Sequence, residues 1–510
     1  MIVPCITPRQ YKVLTEMEEE EPMENTKIVP CSEGLLRGKT DGKTAVFLGV
    51  PFAAPPTGPL RLKGPQPPYP WMGVRDALIP PPMPVQLVRP GSPLAEHEMS
   101  EDYLYLNIWA PDSPAEPCPV LVWFYGGALQ NGNADSPMYD GAAYNRDGVI
   151  VVTVGYRVGV LGFLCHPDMQ TEDPNGFVGN FGHRDQLAAL QWIQKNIAAF
   201  GGDPNRVTIS GQSAGSGSCC TLMNAPAAAG SFQRAICHSG DIFQPERDVP
   251  LEQAETWGIK LLESFGCKTL DEFRKIPVTE LYREGDPMMK RVGQLCAAVI
   301  DGAFLPGPQG ERMLQNNCMQ VPIIVGSNLD EGSRWVAEQY FPTITKRLGI
   351  PEDLYADLED LNQRANALAR DYWYGRTLAW AKIRSSEYGL PTWQYVFGRR
   401  LSPMGAFHGM EIPYTFETLN IEPEFGRRLP YTEEDQALSR LMHSYWVNFI
   451  KNGDPNGPDS SGAPLPYWPS KAEAPGHMRF DAVSGMHGDV IRTTDAVTSP
   501  AVEAWMRGRM

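Results

Sequence analysis

No stretch of this 510-residue chain approaches the roughly 18 consecutive apolar residues that a membrane-spanning helix needs. Basic residues are in deficit: 44 Lys and Arg stand against 60 Asp and Glu, a net charge of −16. That balance argues against nucleic acid and anionic membrane surfaces as partners, because both select a basic face. Cysteine is unevenly placed, with ten residues at 5, 31, 118, 165, 219, 220, 237, 267, 296 and 318 and none beyond. Among them is no CxxC pair and no Cys/His metal spacing, and the sequence calls for no metal or cofactor. The opening residues, Met1-Ile2-Val3-Pro4-Cys5, carry neither a basic n-region nor an apolar h-region of signal-peptide length. The expectation is a cytoplasmic protein without a membrane anchor, its cysteines reduced and buried. Internal repeats and long low-complexity linkers are also missing.

What is present is the composition of a globular protein able to bury a large core, 42% hydrophobic and 20% charged. Residues 1–26 end in an acidic stretch, Glu16-Met17-Glu18-Glu19-Glu20-Glu21, and read as an N-terminal arm or edge hairpin. The Pro-rich residues 53–98 read as a long surface excursion. Apolar, β-branched runs predict strands at 104–109, 120–124, 149–154, 207–210, 235–237, 323–325 and 393–397. Apolar residues at 187, 190, 193 and 197 predict a helix over 185–200. Strands alternating with helices imply an α/β fold, a sheet covered on both faces. The stretches 251–320 and 340–390 read as mainly helical insertions that cap a site. With the candidate chemistry spread over 126 to 408, the expectation is a single catalytic domain over 27–510.

The most informative segment is 200–215, Phe-Gly-Gly-Asp-Pro-Asn-Arg-Val-Thr-Ile-Ser-Gly-Gln-Ser-Ala-Gly. A β-branched run, Gly211-Gln212-Ser213-Ala214-Gly215, then small residues spell strand, sharp turn and helix, with Ser213 at the tip. Glycine is needed at 211 and 215 because backbone approaches backbone there. The turn lifts the Ser213 hydroxyl clear of the sheet, and the helix N-terminus offers N–H groups to a developing negative charge.

A serine hydroxyl is a weak nucleophile, so it needs a histidine base, and that base needs a carboxylate to fix its tautomer. In hydrolases of this kind the chain order is serine, acid, histidine. After the predicted strand 323–325 comes Gly326-Ser327-Asn328-Leu329-Asp330-Glu331-Gly332, two adjacent carboxylates that spacing alone does not separate. Downstream lie His408, His443, His477 and His487. His443 falls inside an amphipathic helix and reads as packing or surface, and His477 and His487 fall in terminal loops. His408, in Phe407-His408-Gly409-Met410-Glu411-Ile412, is the best base. Oxyanion donors are expected from Tyr125-Gly126-Gly127-Ala128, where a strand ends in small residues, and from the Ala214 amide.

Together these motifs resemble the type-B carboxylesterase/lipase family of the α/β-hydrolase superfamily, which includes p-nitrobenzyl esterases, cholinesterases and animal liver esterases. Residues 200–215 match its serine signature, and 101–111 match its second signature except that Tyr103 stands at the usual cysteine. Phe47–Ala53, Gly179–Gly182, Asp185-Gln186 and the stretch from Trp446 through Gly453-Asp454-Pro455-Asn456 also match. The resemblance implies an α/β-hydrolase fold: a large, mostly parallel central sheet flanked by helices, with helical insertions over the site. It implies a carboxylesterase with Ser213 as nucleophile, Glu331 rather than Asp330 as acid, and His408 as base, acting on a small-molecule ester without cofactor. The family's oxyanion donors fall on Gly127, Ala128 and Ala214, with Gly126 supporting the turn and Ser239 close to the acid.

The departures are informative. Tyr103 removes half of the first disulfide of secreted relatives. Gln212 replaces the usual Glu beside the nucleophile, and Ala128 replaces the third glycine of the oxyanion run. Pro93 occupies the place of the cholinesterase tryptophan, so a choline platform is not expected. His183 stands where relatives carry an aliphatic residue and reads as a packed histidine or a pocket wall. The rival readings are a lipase, which would need an apolar lid, and a non-catalytic adhesion relative, which typically lacks the serine or histidine and carries an anchor.

Overall fold

A computed structural model of the chain describes residues 25–88, 97–243, 248–282, 296–334, 352–421 and 429–488. The acidic run at 16–21, Pro93 and the first part of the expected 340–390 insertion lie outside them.

The organising element is a 13-stranded sheet. The chain enters through β1 (Asn25–Cys31), β2 (Gly34–Thr40) and β3 (Thr44–Pro51), paired antiparallel. A short β4 (Val74–Asp76) adds to β2. Two residues each of β5 (Met83–Pro84) and β6 (Met99–Ser100) pair separately. The path continues through β7 (Tyr105–Pro111), β8 (Cys118–Phe124), β9 (Ile150–Val154), β10 (Gly202–Gln212) and β11 (Arg234–His238). A separate ribbon joins β12 (Asp248–Pro250) to β13 (Ala298–Ile300). The large sheet closes with β14 (Ile323–Asn328), β15 (Thr392–Phe397), β16 (His477–Phe480) and β17 (Gly485–His487). Its spatial order is β1-β2-β3-β7-β9-β8-β10-β11-β14-β15-β16-β17.

From β9 across to β16 every neighbouring pair is parallel. Every residue of β8, β9, β14 and β15 is buried, as a parallel sheet covered on both faces requires. Helix α1 (Phe181–Asn196), α2 (Ala214–Asn224), α3 (Leu361–Lys382) and α4 (Glu433–Asn452) supply much of that cover. The chain moves from β8 outward to β9 and then back across β8 to β10, so the strand order reverses there. A crevice at the carboxyl ends of the strands beside such a reversal is where open α/β sheets place ligands.

Three expectations are adjusted. Helix α1 starts at Phe181, ahead of the predicted 185, because Asn180 adopts φ 52° and turns the chain into it. The 53–98 stretch is not all surface: Leu62, Ala77 and Met83 are buried. The 251–320 stretch contains β13 as well as helix, and His477 and His487 sit in β16 and β17 rather than in loops.

Candidate active site

The loops that leave β8, β10, β14 and β15 at their carboxyl ends carry Gly126–Ala128, Ser213, Glu331 and His408. Between β10 and α2, Ser213 holds φ 57° and ψ −117°, a conformation that L-residues rarely adopt. Two contacts enforce it. The Ser213 N–H donates to His238 O of β11 (2.8 Å), and a Cβ on Gly215 would overlap Phe124 O at the end of β8. A Cβ on Gly211 would likewise run into the Gly215 main chain, so glycine at both positions is a steric requirement.

The loop after β8 lies directly against this elbow. A Cβ on Gly126 would stand 2.8 Å from Gln212 O and 3.3 Å from the Ser213 Cβ. Gly127 (φ 116°), Ala128 (φ 57°) and Leu129 (φ 61°) form a run of positive φ angles. Successive left-handed residues turn their N–H groups toward one side, a concavity suited to an anion. Ala128 and Leu129 hold this shape despite carrying side chains.

The two carboxylates after β14 part company. Glu331 is fully buried, its Oε2 lies 2.5 Å from His408 Nδ1, and its Oε1 accepts the Asn328 N–H at 2.7 Å. Asp330 instead takes Arg400 Nε (2.6 Å) and Nη2 (2.9 Å) together with the Ala406 N–H (2.9 Å). Adjacent residues thus serve different loops: one orients the histidine, the other ties down the segment leading to it. Trp373 of α3 packs beside the His408 ring, with centroids 6.2 Å apart.

Behind Glu331 lies a layer that reading the sequence missed. Asn328 Nδ2 donates to Glu411 Oε2 (2.5 Å) and to Phe407 O (2.7 Å), linking the end of β14 to the loop after β15. Glu411 is fully buried, and that burial, reinforced by the charge of Glu331, pushes its carboxyl up to about 7. Its Oε1 is 3.8 Å from His238 Nδ1. Burial pulls His238 down to about 3, so the ring is neutral. Trp446 Nε1 can only donate, so His238 Nε2 accepts from it at 3.2 Å and Nδ1 carries the proton that faces Tyr395 Oη at 2.9 Å. Both Asn328 and Glu411 sat within quoted motifs. The signal available was a polar residue two or three positions from a triad candidate in otherwise apolar surroundings.

The remaining candidates fall into place around this centre. Ser239 is buried, its N–H donates to Gly326 O of β14 (2.8 Å), and its hydroxyl has no hydrogen-bond partner among the described residues. His443 is buried between Thr415 O (2.9 Å) and Asp147 Oδ2 (3.0 Å), a packing histidine as expected. His183 is buried, with Nδ1 3.1 Å from Gln186 Oε1, and lines a small cavity beside Ala214 and Gly217, so it is both packed and a cavity wall. Tyr103 is buried, and the nine described cysteines are free. Among the described residues no group of three or more His, Cys, Asp and Glu is arranged to hold a metal ion, and no helix is long and apolar enough to cross a membrane.

Comparison with known proteins gives the family and the fold. A sequence model of the carboxylesterase family matches residues 25–347 and 343–495. The chain is 33% identical to fumonisin B1 esterase of Sphingopyxis macrogoltabida over 471 residues, covering 86% of this chain and 83% of that protein. It is 32% identical to para-nitrobenzyl esterase of Bacillus subtilis over 458 residues, 84% of this chain and 91% of the relative. Among solved structures, a carboxylesterase of Geobacillus stearothermophilus superposes with a TM-score of 0.78 at 31% identity, covering 91% of this chain and 98% of its own. A match that spans nearly the whole chain in both sequence and fold leaves one assignment: the chain belongs to the carboxylesterase family and is a carboxylic ester hydrolase with the α/β-hydrolase fold.

Proposed function

We propose that the hydrolysis runs through an acyl-enzyme on Ser213, with His408 and Glu331 completing the triad. The observation that carries this reading is the His408–Glu331 contact, set at the same carboxyl-terminal end of the sheet strands as the strained Ser213 turn. With Nδ1–H directed at Glu331, His408 presents Nε2 as the acceptor for the serine proton. Ser213 Oγ attacks the ester carbonyl. The oxyanion is met by the amides of Gly127, Ala128 and Ala214, whose placement beside the elbow supports that role. His408 then protonates the departing alcohol and activates the water that releases the acid. Asn328 holds Glu331 in place, and Asp330 serves the loop instead of the base. The substrate proposed is a small-molecule carboxylic ester, and the site residues require no cofactor.

A panel of p-nitrophenyl esters of increasing acyl length, run on wild type and Ser213→Ala, tests the mechanism. Ser213→Ala is expected to lose at least about 10³-fold in kcat, and so is His408→Ala, because the triad acts as a unit. Activity retained in Ser213→Ala overturns the assignment. Rates that rise toward long acyl chains would favour the lipase reading instead.

A further inference from the structure

The loop after β8 holds a shape that its own residues resist. Ala128 and Leu129 sit at positive φ, and a further positive angle follows at Gly132 (φ 129°). Two main-chain hydrogen bonds close the loop on itself, from the Gln130 and Asn131 N–H groups to Gly127 O (2.9 and 3.1 Å). The rest of its hold comes from outside. Leu129 O accepts the Gly159 N–H (2.7 Å), and two side chains, Gln86 and Tyr103, grip residues 132 and 134.

Gln86 follows β5 in the Pro-rich 53–98 stretch, 46 residues before Gly132, and is 3% exposed. Its Oε1 accepts the Gly132 N–H at 2.8 Å, and its Nε2 donates to Gly132 O at 2.9 Å. The second Nε2 hydrogen goes to Pro84 O at 3.1 Å. The side-chain amide therefore meets both peptide groups of one residue, as a neighbouring strand would, and both of its donor hydrogens are used.

What Gln86 holds is pressed in turn against residues 125–127. A Cβ on Gly132 would overlap the Tyr125 ring and Gly126 O, and one on Gly127 would overlap Asn131 O. At Gly126 and Gly127 main chain lies on main chain, so a displaced Gly132 displaces them too. Tyr103, the buried residue at the usual cysteine position, ties the same segment at both ends. Its Oη accepts the Ala134 N–H (3.3 Å) and donates to Tyr125 Oη (3.4 Å). Tyr125 is itself fixed by Tyr156: the rings stack at 4.2 Å, and each hydroxyl donates to the other's main-chain oxygen, at 2.7 and 2.6 Å.

We propose that Gln86 is a positioning residue for ester hydrolysis: its amide fixes Gly132, and through Gly132 the direction of the Gly127 and Ala128 N–H groups. The proposal rests on the reading of those amides as oxyanion donors. Such donors stabilise a transition state only where they are already aimed, and losing one costs about 10²–10³-fold in kcat. Formation and hydrolysis of the acyl-enzyme both pass through a tetrahedral oxyanion, so a tilted loop slows either step. The bound ester makes less use of the same N–H groups, so KM is spared.

The test is Gln86→Met, which keeps the length of the side chain and removes both bonds to Gly132. With p-nitrophenyl acetate, kcat is expected to fall about 10–10²-fold while KM changes by less than about threefold. Affinity for a trifluoromethyl ketone, whose Ser213 hemiketal places an oxyanion in the same position, should fall by the same factor as kcat/KM. Gln86→Glu keeps an acceptor but sets a carboxylate against Gly132 O; it should lose kcat likewise and serves if Gln86→Met does not fold. Melting curves establish that each variant is folded at the assay temperature. A lowered Tm with kcat and ketone affinity near wild type would mean that Gln86 only stabilises the fold, and would overturn the proposal. Gly127→Ala, whose Cβ drives the loop off Asn131 O directly, separates the two readings. If kcat survives in Gly127→Ala, the donor assignment itself fails; if it is lost there but kept in Gln86→Met, the role of Gln86 alone is refuted.

Discussion

At the residue scale the site is built from conformations and charges that a folded environment must enforce. Ser213 and Ala128 hold φ 57°, which costs an L-residue on the order of 1 kcal/mol or more. Glycine at 128 would relieve that strain, so Ala128→Gly is expected to be neutral to about 1 kcal/mol stabilising in urea unfolding. Removing its Cβ beside the elbow should also speed hydrolysis of tertiary-alcohol esters relative to small ones; unchanged relative rates would show that the methyl group does not wall the pocket. Charge gives two opposite pH signatures. Glu411, raised to about 7, contributes stability that is complete below its ordinary value near 4.5 and is lost as pH rises through 7. Glu411→Gln should therefore gain on wild type by on the order of 2–3 kcal/mol between pH 5 and pH 8. His238, held near 3, contributes stability that is complete above its ordinary value near 6.5 and is lost as pH falls toward 3. Acid unfolding should accordingly be less steep over that interval in His238→Asn, as followed by tryptophan fluorescence.

At the scale of elements, the turn between β10 and α2 depends on how closely the helix abuts β8. Gly215→Ala sets a methyl group onto Phe124 O, a main-chain atom that cannot swing aside. We expect a loss of about 3 kcal/mol or more and little soluble protein; near-normal melting would mean that α2 can shift outward. The start of α1 is pinned by Arg157, whose Nε and Nη2 reach Asp185 at 2.8 and 2.6 Å with both side chains buried. Arg157→Ala strands a buried carboxylate and should cost about 3–5 kcal/mol in denaturant unfolding. Elements of this size were readable from sequence where the pattern was strong. The apolar runs of β8, β9 and β14 are continuous because both faces are covered, whereas β12 and β13 have three residues each and no period to detect. The N-terminal turn of α1, Phe181-Gly182-His183-Arg184, hid for a related reason: its polar residues are buried by specific partners, so polarity no longer marked the surface.

Over the whole molecule one sheet runs from Asn25 to His487, and the site draws on loops from residue 126 to residue 408. We propose that 27–510 is a single cooperative domain, since the sheet offers no point at which it could be divided without exposing a buried strand edge. Differential scanning calorimetry should show one transition; two resolved transitions would contradict this. The chain is acidic overall, yet Arg157 and Arg400 are each spent on one carboxylate, Asp185 and Asp330.

Ser213 in its turn, the glycine-rich 126–128 loop and His408 could be picked out as candidates along the chain because each depends on a local backbone demand or on chain order. Asp330 and Glu331 could not be separated by spacing, and only the motif resemblance favoured Glu331. Their neighbouring positions send side chains to different loops, and that direction is fixed by how the segment after β14 meets residues 400–411. The Asn328–Glu411–His238 layer likewise joins residues far apart in sequence. No local pattern records such contacts, because burial that shifts a charge exists only once the sheet has brought distant strands together.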